Sequence, residues 1–287
     1  MQHLHSPSIR RRRLSAELRR ARQEAGFTTT QVAQKLKWAS GKLSMIENGE
    51  TKSIKPADLD KLLELYKIED PRKRGALHQL ARDAKERGWW SKYREIFGDQ
   101  ALPDFEAEAS VIRTFEALTI PGLLQTPAYA EAIFRGGRYV SAEEIQRRVE
   151  FRMARRSILT EFPPVQLRVV IDEAALRRMI GGREVMLEQL KYLLYMAQMP
   201  NIDVQVLPYE AGAHAALAAP FTILEFPDPL DTPIVYVGTI TSALFLEEAK
   251  DVSQYSATFG DVQGSALSTV QSAAFIKDVA SALESDQ

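Results

Sequence analysis

The 287-residue chain is 45% hydrophobic and 26% charged, the composition of globular protein with room for two domains rather than of a disordered chain. It has no cysteine, which excludes disulfide frameworks and thiolate metal sites and fits a reducing, cytoplasmic setting; it also has no run of about eighteen apolar residues to span a membrane. The formal net charge of -1 conceals two opposed halves, with 22 Lys+Arg against 13 Asp+Glu in residues 1–102 and 15 against 25 in residues 103–287, so a basic front suited to a polyanion such as DNA precedes an acidic rear that would avoid one.

Residues 1–13 include the basic run Arg10 to Arg13, with no apolar stretch of signal-peptide length behind it. We read them as a flexible tail giving non-specific attraction, with a minor-groove arm as the alternative. From Leu14 to Ala25 apolar residues recur at 14, 18, 21 and 25, the helical period, and Gly26 follows where a helix stops. Thr28, with Gln31 three residues on, is a capping-box pattern that opens a short second helix with Val32, Ala33 and Leu36 on its buried stripe. A tight connection at Lys37 and Trp38 leads to a third helix, from about Ser40 to Asn48, ended by Gly49.

Two short helices either side of a tight turn predict a helix-turn-helix. At about 100° per residue, Ala39, Leu43 and Ile46 share the inward side of the third helix, while Gly41, Ser44, Met45 and Asn48 point away. Small polar residues on the outward side let a helix enter a major groove and offer donors to base edges. The expected DNA contacts are therefore Thr28, Thr29, Ser40, Gly41, Lys42, Ser44, Met45, Asn48 and Lys52, with Lys42 on a phosphate.

The stretch GFTTTQVAQKLKWASGKLSMIENGE, Gly26 to Glu50, resembles the Xre/Cro-cI class of helix-turn-helix regulators. That resemblance implies a structural ion pair between an arginine late in the first helix and a glutamate late in the recognition helix, positions held here by Arg22 and Glu47. Two departures stand out: Lys37 occupies the turn where the family has glycine, and Ala39 the place of its usual serine or threonine cap. A missing cap costs about 1 kcal/mol. A lysine held in the left-handed region adds strain of about the same size, unless the turn differs.

After a loop, Pro56 opens a helix whose Leu59, Leu62, Leu63 and Tyr66 close a small core, which sets the DNA-binding domain at 14–70. Residues 71–102 read as a connecting helical segment, periodic through Leu77, Leu80, Ala81 and Ala84, ended by Gly88 and followed by packing aromatics Trp89, Trp90 and Tyr93.

The remainder, 103–287, alternates strand and helix patterns. An extended segment lies at Ser110 to Leu118, and strands at 165–171, 203–207, 221–226, 234–238 and 243–247. Helices are expected after Thr126–Pro127, over Ser141 to Thr160, Asp172 to Met179 and Glu184 to Met199, and from about Ser265 to Leu283. The fold class predicted is α+β: an all-α front joined by a helix to a larger mixed α/β domain with one central sheet.

Catalytic signatures are sparse. His214 follows Glu210 by four residues, but Gly212 disfavours a helix there, so it reads as a loop histidine rather than a metal ligand. Gly181–Gly182 reads as a helix terminator, and Asp172–Glu173 as a helix start favoured by the dipole. We expect no enzymatic activity and no cofactor. An autoproteolytic serine–lysine pair is the remote alternative, since the rear lysines, Lys191, Lys250 and Lys277, sit in no apolar strand context.

The segments IPGLLQTPAYAEA, IDEAALRRMIGGREVMLEQL and VLPYEAGAHAALAAPFTILEF resemble the C-terminal domain of actinomycete Xre-type regulators of the WhiJ-like group, described as antitoxin-like. The resemblance implies a small partner protein, encoded alongside, that alters the regulator's hold on double-stranded operator DNA. Direct sensing of a small molecule by the rear domain is the alternative. A homodimer is expected because operator half-sites repeat.

Overall fold

The computed structural model describes residues 7–51, 53–84, 102–137, 141–228, 231–239 and 242–285, and the chain divides into two compact units. Among its described residues the first contains α1 (Pro7–Glu24), α2 (Thr29–Leu36), α3 (Lys42–Glu47), α4 (Pro56–Leu65) and α5 (Pro71–Asp83). Their core contains Leu14, Leu18, Val32, Leu43, Ile46, Leu59, Leu62, Leu63, Leu77 and Leu80.

Three expectations are corrected here. The run Arg10 to Arg13 is not a flexible tail: arginine is a good helix former and Pro7 suits a first helical position, so α1 extends back through it. Helix α5 does not merely connect, because its Leu77, Leu80 and Ala81 enter the first core and α5 packs along α1. Gly88, Trp89, Trp90 and Tyr93 lie outside the described residues. Residues Pro103–Glu108, which hold all of the short α6 (Leu102–Glu106) except its first residue, belong to the first unit rather than to the rear domain, and Arg12 lies 5.4 Å over the Phe105 ring.

Helices α1 to α4 end in the same way. One residue takes the left-handed conformation, its amide bonds back to the carbonyl three before it, and the next amide reaches the carbonyl five before it. Gly26 and Gly49 serve α1 and α3 at no steric cost, whereas Lys37 (φ 53°) and Lys67 (φ 57°) serve α2 and α4. The turn at Lys37 is thus the conventional one, carried by a residue that is strained in it.

The second unit holds one six-stranded sheet in the order β3-β2-β1-β4-β5-β6, so the chain is a helical front followed by a mixed α/β rear, as its patterning predicted. The strands are β1 (Val111–Glu116), β2 (Gln166–Asp172), β3 (Ile202–Leu207), β4 (Phe221–Glu225), β5 (Ile234–Gly238) and β6 (Ala243–Leu246). Strands β1, β2 and β3 are parallel because helices intervene: α7 (Pro127–Arg135) and α8 (Ala142–Arg155) between the first two, α9 (Glu173–Arg177) and α10 (Arg183–Met196) between the next. Strands β4, β5 and β6 follow by short loops and pair antiparallel.

The C-terminal helix expected from about Ser265 to Leu283 is α12 (Thr269–Ser285), and a further helix that was not expected, α11 (Ala249–Ser265), precedes it. Helix α11 escapes the pattern because it is rich in glycine, serine and β-branched residues, all poor helix formers. What holds it is packing of Phe259 and Val262 against Phe115, Val170, Ile223 and Val235 of the sheet. Gly181 and Gly182 precede α10 rather than ending a long helix, and a side chain at Gly181 would lie 2.8 Å from the Cβ of Ala132.

Candidate nucleic-acid interface

Helix α3 starts at Lys42, two residues later than its pattern suggests, after Gly41 in a left-handed conformation (φ 92°). Ala39 and Ser40 therefore belong to the turn, and Ala39 is exposed rather than inward, because the helical projection does not reach it. Leu43 and Ile46 are buried as expected. Ser40, Gly41, Met45 and Asn48 are exposed and Ser44 is partly so, Met45 at 49% although it is a large apolar side chain.

Several predicted contacts are already engaged within the unit. The Lys42 ammonium sits 2.8 Å from Oδ2 of Asp58 and 4.1 Å over the Trp38 ring, so it links α3 to α4 and to the turn. Oδ1 of Asn48 accepts from Arg19 Nη2 at 2.8 Å, and its amide donates to Glu50. At the start of α2 the Thr28 hydroxyl accepts from the Gln31 amide while the Gln31 side chain accepts from the Thr28 amide, which leaves Thr29 in the first turn beside a satisfied cap. Lys52 lies outside the described residues.

Three side chains of α1, spaced four and three residues apart on one helical face, hold the end of α3. Ser15 Oγ donates to the Ile46 carbonyl at 2.6 Å, adding to the bond from the Gly49 amide, and Arg19 Nη2 donates at 2.8 Å to the Glu47 carbonyl at the helix terminus. Arg22 makes a two-pronged pair with the Glu47 carboxylate, Nε to Oε1 at 2.8 Å and Nη2 to Oε2 at 3.0 Å, and spends Nη1 on the Phe27 carbonyl. The Glu47 side chain is 3% exposed and that of Arg22 12%. Beside them the Tyr66 hydroxyl is buried without a hydrogen-bond partner, and burial together with the Glu47 charge pushes its pKa well up. Sequence reasoning missed Ser15 and Arg19; their spacing from Arg22 on a single helix face was the available signal.

In the rear unit His214 is a nearly enclosed loop side chain, 4.0 Å from Oδ2 of Asp172 and edge-on to Phe115 at 5.3 Å. Asp172 caps α9 through the Ala174 amide. Among the described residues no group of three or more histidines and acids is placed to hold a metal ion, and no helix is long and apolar enough to cross a membrane.

Residues 13–77 match the family model of a helix-turn-helix domain, and residues 99–278 that of a domain of unknown function (DUF5753). No curated protein and no solved structure matches the chain. The helix-turn-helix match supports a DNA-binding regulator.

Proposed function

Since the chain belongs to the DUF5753 family and carries a helix-turn-helix domain in front of that region, we propose that it is a sequence-specific, cytoplasmic transcriptional regulator of the Xre/Cro-cI type. It binds its operator as a homodimer, and its rear domain takes a small partner polypeptide that changes its hold on DNA. It acts by binding and catalyses no reaction. The observation that carries this reading is the state of α3 and the turn before it: the apolar side of α3 is sunk in the core while Ser44 and Met45 on the helix, and Ser40 and Gly41 in the turn, face outward, and the helix is fixed from behind by Ser15, Arg19 and Arg22. Lys42 and Asn48 serve as braces, and the base-reading role falls to Ser44 and Met45.

Sequencing the DNA retained by the purified protein supplies an operator for gel-shift measurement. Replacing Ser44 and Met45 together by glutamate should weaken operator binding at least about a hundredfold, through lost groove contacts and repulsion from phosphate, with the circular-dichroism spectrum unchanged. An unaltered affinity removes the recognition role from α3. Co-purification of a neighbour-encoded polypeptide with the full chain tests the partner, and calorimetry against metabolites tests the small-molecule alternative.

A further inference from the structure

The chain returns to its first unit after the second has begun. Pro103–Glu108 belong to the first unit, although Leu102 before them and Ala109 after them belong to the second. These six residues, Pro-Asp-Phe-Glu-Ala-Glu, carry three acids and no base. Phe105 and Glu106 are 4% and 5% exposed, and the Arg12 guanidinium lies over the Phe105 ring, so α6 is seated on the arginine run of α1.

The position of that run gives the contact its meaning. With Leu14 at 0° and about 100° per residue, the core residues Leu18 and Ala21 fall at about 40° and 340°. Ser15, Arg19 and Arg22, which hold the end of α3, fall at about 100°, 140° and 80°. Arg11 and Arg12, at about 60° and 160°, lie one turn before Ser15 on either side of the same stripe. Ser15 Oγ is itself 3.7 Å from where a side chain on Gly49 would begin, in the loop that leaves α3. A duplex seated on α3 carries its phosphates past the ends of that helix, so the run stands beside the backbone track. Arg12 falls on the side away from Leu14, Leu18 and Ala21, yet it is only partly exposed, as are Arg10, Arg11 and Arg13, and all four are engaged by neighbours. Asp104, Glu106 and Glu108 are engaged too, and a carboxylate as buried as Glu106 needs cations or donors beside it.

We propose that α6 is an autoinhibitory strap: Phe105 and the acids around it hold Arg11 and Arg12 within the unit, and release of the strap frees them to bind DNA phosphates. This deepens the proposed function and rests on its DNA-binding half. Guanidinium groups bind carboxylates and phosphates in the same planar, two-pronged way, so the strap and the duplex compete for one set of donors. The strap is also tied to the rear domain. Ser110, two residues beyond Glu108, is fixed in the sheet, its amide donating to the Glu225 carbonyl at 2.8 Å and its carbonyl accepting from the Gln166 amide at 2.9 Å. An effector that shifts the start of β1 therefore pulls on the strap through one intervening residue, Ala109.

The test uses the full-length protein and reads its affinity for the operator and for duplex DNA of scrambled sequence, by gel shift over a range of salt. Phe105→Ala should bind both duplexes about tenfold more tightly, and the slope of log affinity against log salt should steepen by about one to two, the mark of added phosphate contacts. Asp104→Asn combined with Glu108→Gln, at partly exposed positions where the fold is retained, should move affinity and slope in the same direction. Adding Arg11→Gln and Arg12→Gln to Phe105→Ala should return both to their wild-type values. In hydrogen exchange Phe105→Ala should lose protection in α6 and keep it in α3. Wild-type affinity and slope in both strap variants overturn the proposal, and so does weaker binding by Phe105→Ala with α3 still protected. Absence of DNA binding in wild type and every variant is a failure of the DNA-binding reading, whereas operator binding that the strap variants leave unchanged is a failure of the strap alone.

Discussion

Glu47 is a carboxylate sealed inside a small helical core, and Arg22 meets it there with a two-pronged ion pair. Removing one partner of such a pair strands the other charge in a low-dielectric site, so Arg22→Ala should destabilise the first unit by about 3 kcal/mol or more. Arg20→Ala, which breaks only an exposed pair with Glu24, should change stability by less than about 0.5 kcal/mol. Hydrogen exchange at the amides of α1 and α3 in the two variants distinguishes them, and equal loss of protection would deny the pair its structural role. Glu116 presents the opposite case. Burial outweighs the pull of Arg152, the hydrogen bond from Thr114 and the pull of Arg155, and its pKa is pushed up to about 7. Between the ordinary carboxylate range and pH 7 the folded chain holds a proton that the unfolded chain has lost, so raising the pH across that window costs stability, and above it the cost is complete. Glu116→Gln has no such proton to lose. Relative to wild type it should gain on the order of 1–3 kcal/mol as pH rises from 5 to 8, measured by urea denaturation at each pH. A constant difference across the range would show that the carboxyl is solvated.

At the scale of elements, the first unit is made of short helices whose ends matter as much as their faces. Four of them stop by one hydrogen-bonded device, and it is filled twice by glycine and twice by lysine. A Cβ in the left-handed region costs about 1–2 kcal/mol, partly offset by the greater freedom that glycine has in the unfolded chain. Lys37→Gly and Lys67→Gly should each stabilise the unit by about 0.5–1 kcal/mol, seen as a raised midpoint in thermal melts; destabilisation would mean that the lysine side chains make contacts outweighing the strain. Helix α3 has six residues and no side-chain cap at its start, too short to persist alone. It is fixed by what α1 does at its far end and by the Lys42–Asp58 pair to α4. Lys42, an expected DNA contact, thus also helps to hold a helix too short to hold itself.

For the molecule as a whole, the opposed charge of the halves matches a division of labour in which a basic helical unit meets a polyanion and an acidic sheet domain stays clear of it. The helix-turn-helix, the capping box at Thr28, the buried Leu43 and Ile46, and the rear strands were all legible in the sequence. Each is set by local periodicity or by a turn residue acting on its nearest neighbours. Tertiary structure alone decided the rest. It showed that Arg10 to Arg13 continue a helix, that α5 belongs to the first core, that α11 is a helix despite its glycines, that Lys42 and Asn48 are engaged within the unit, and that Gln125 and Gln189 fix the Pro121 turn between α8 and α10. Those outcomes depend on contacts between residues far apart in the chain, whose energies override local preference and leave no periodic trace in the order of amino acids.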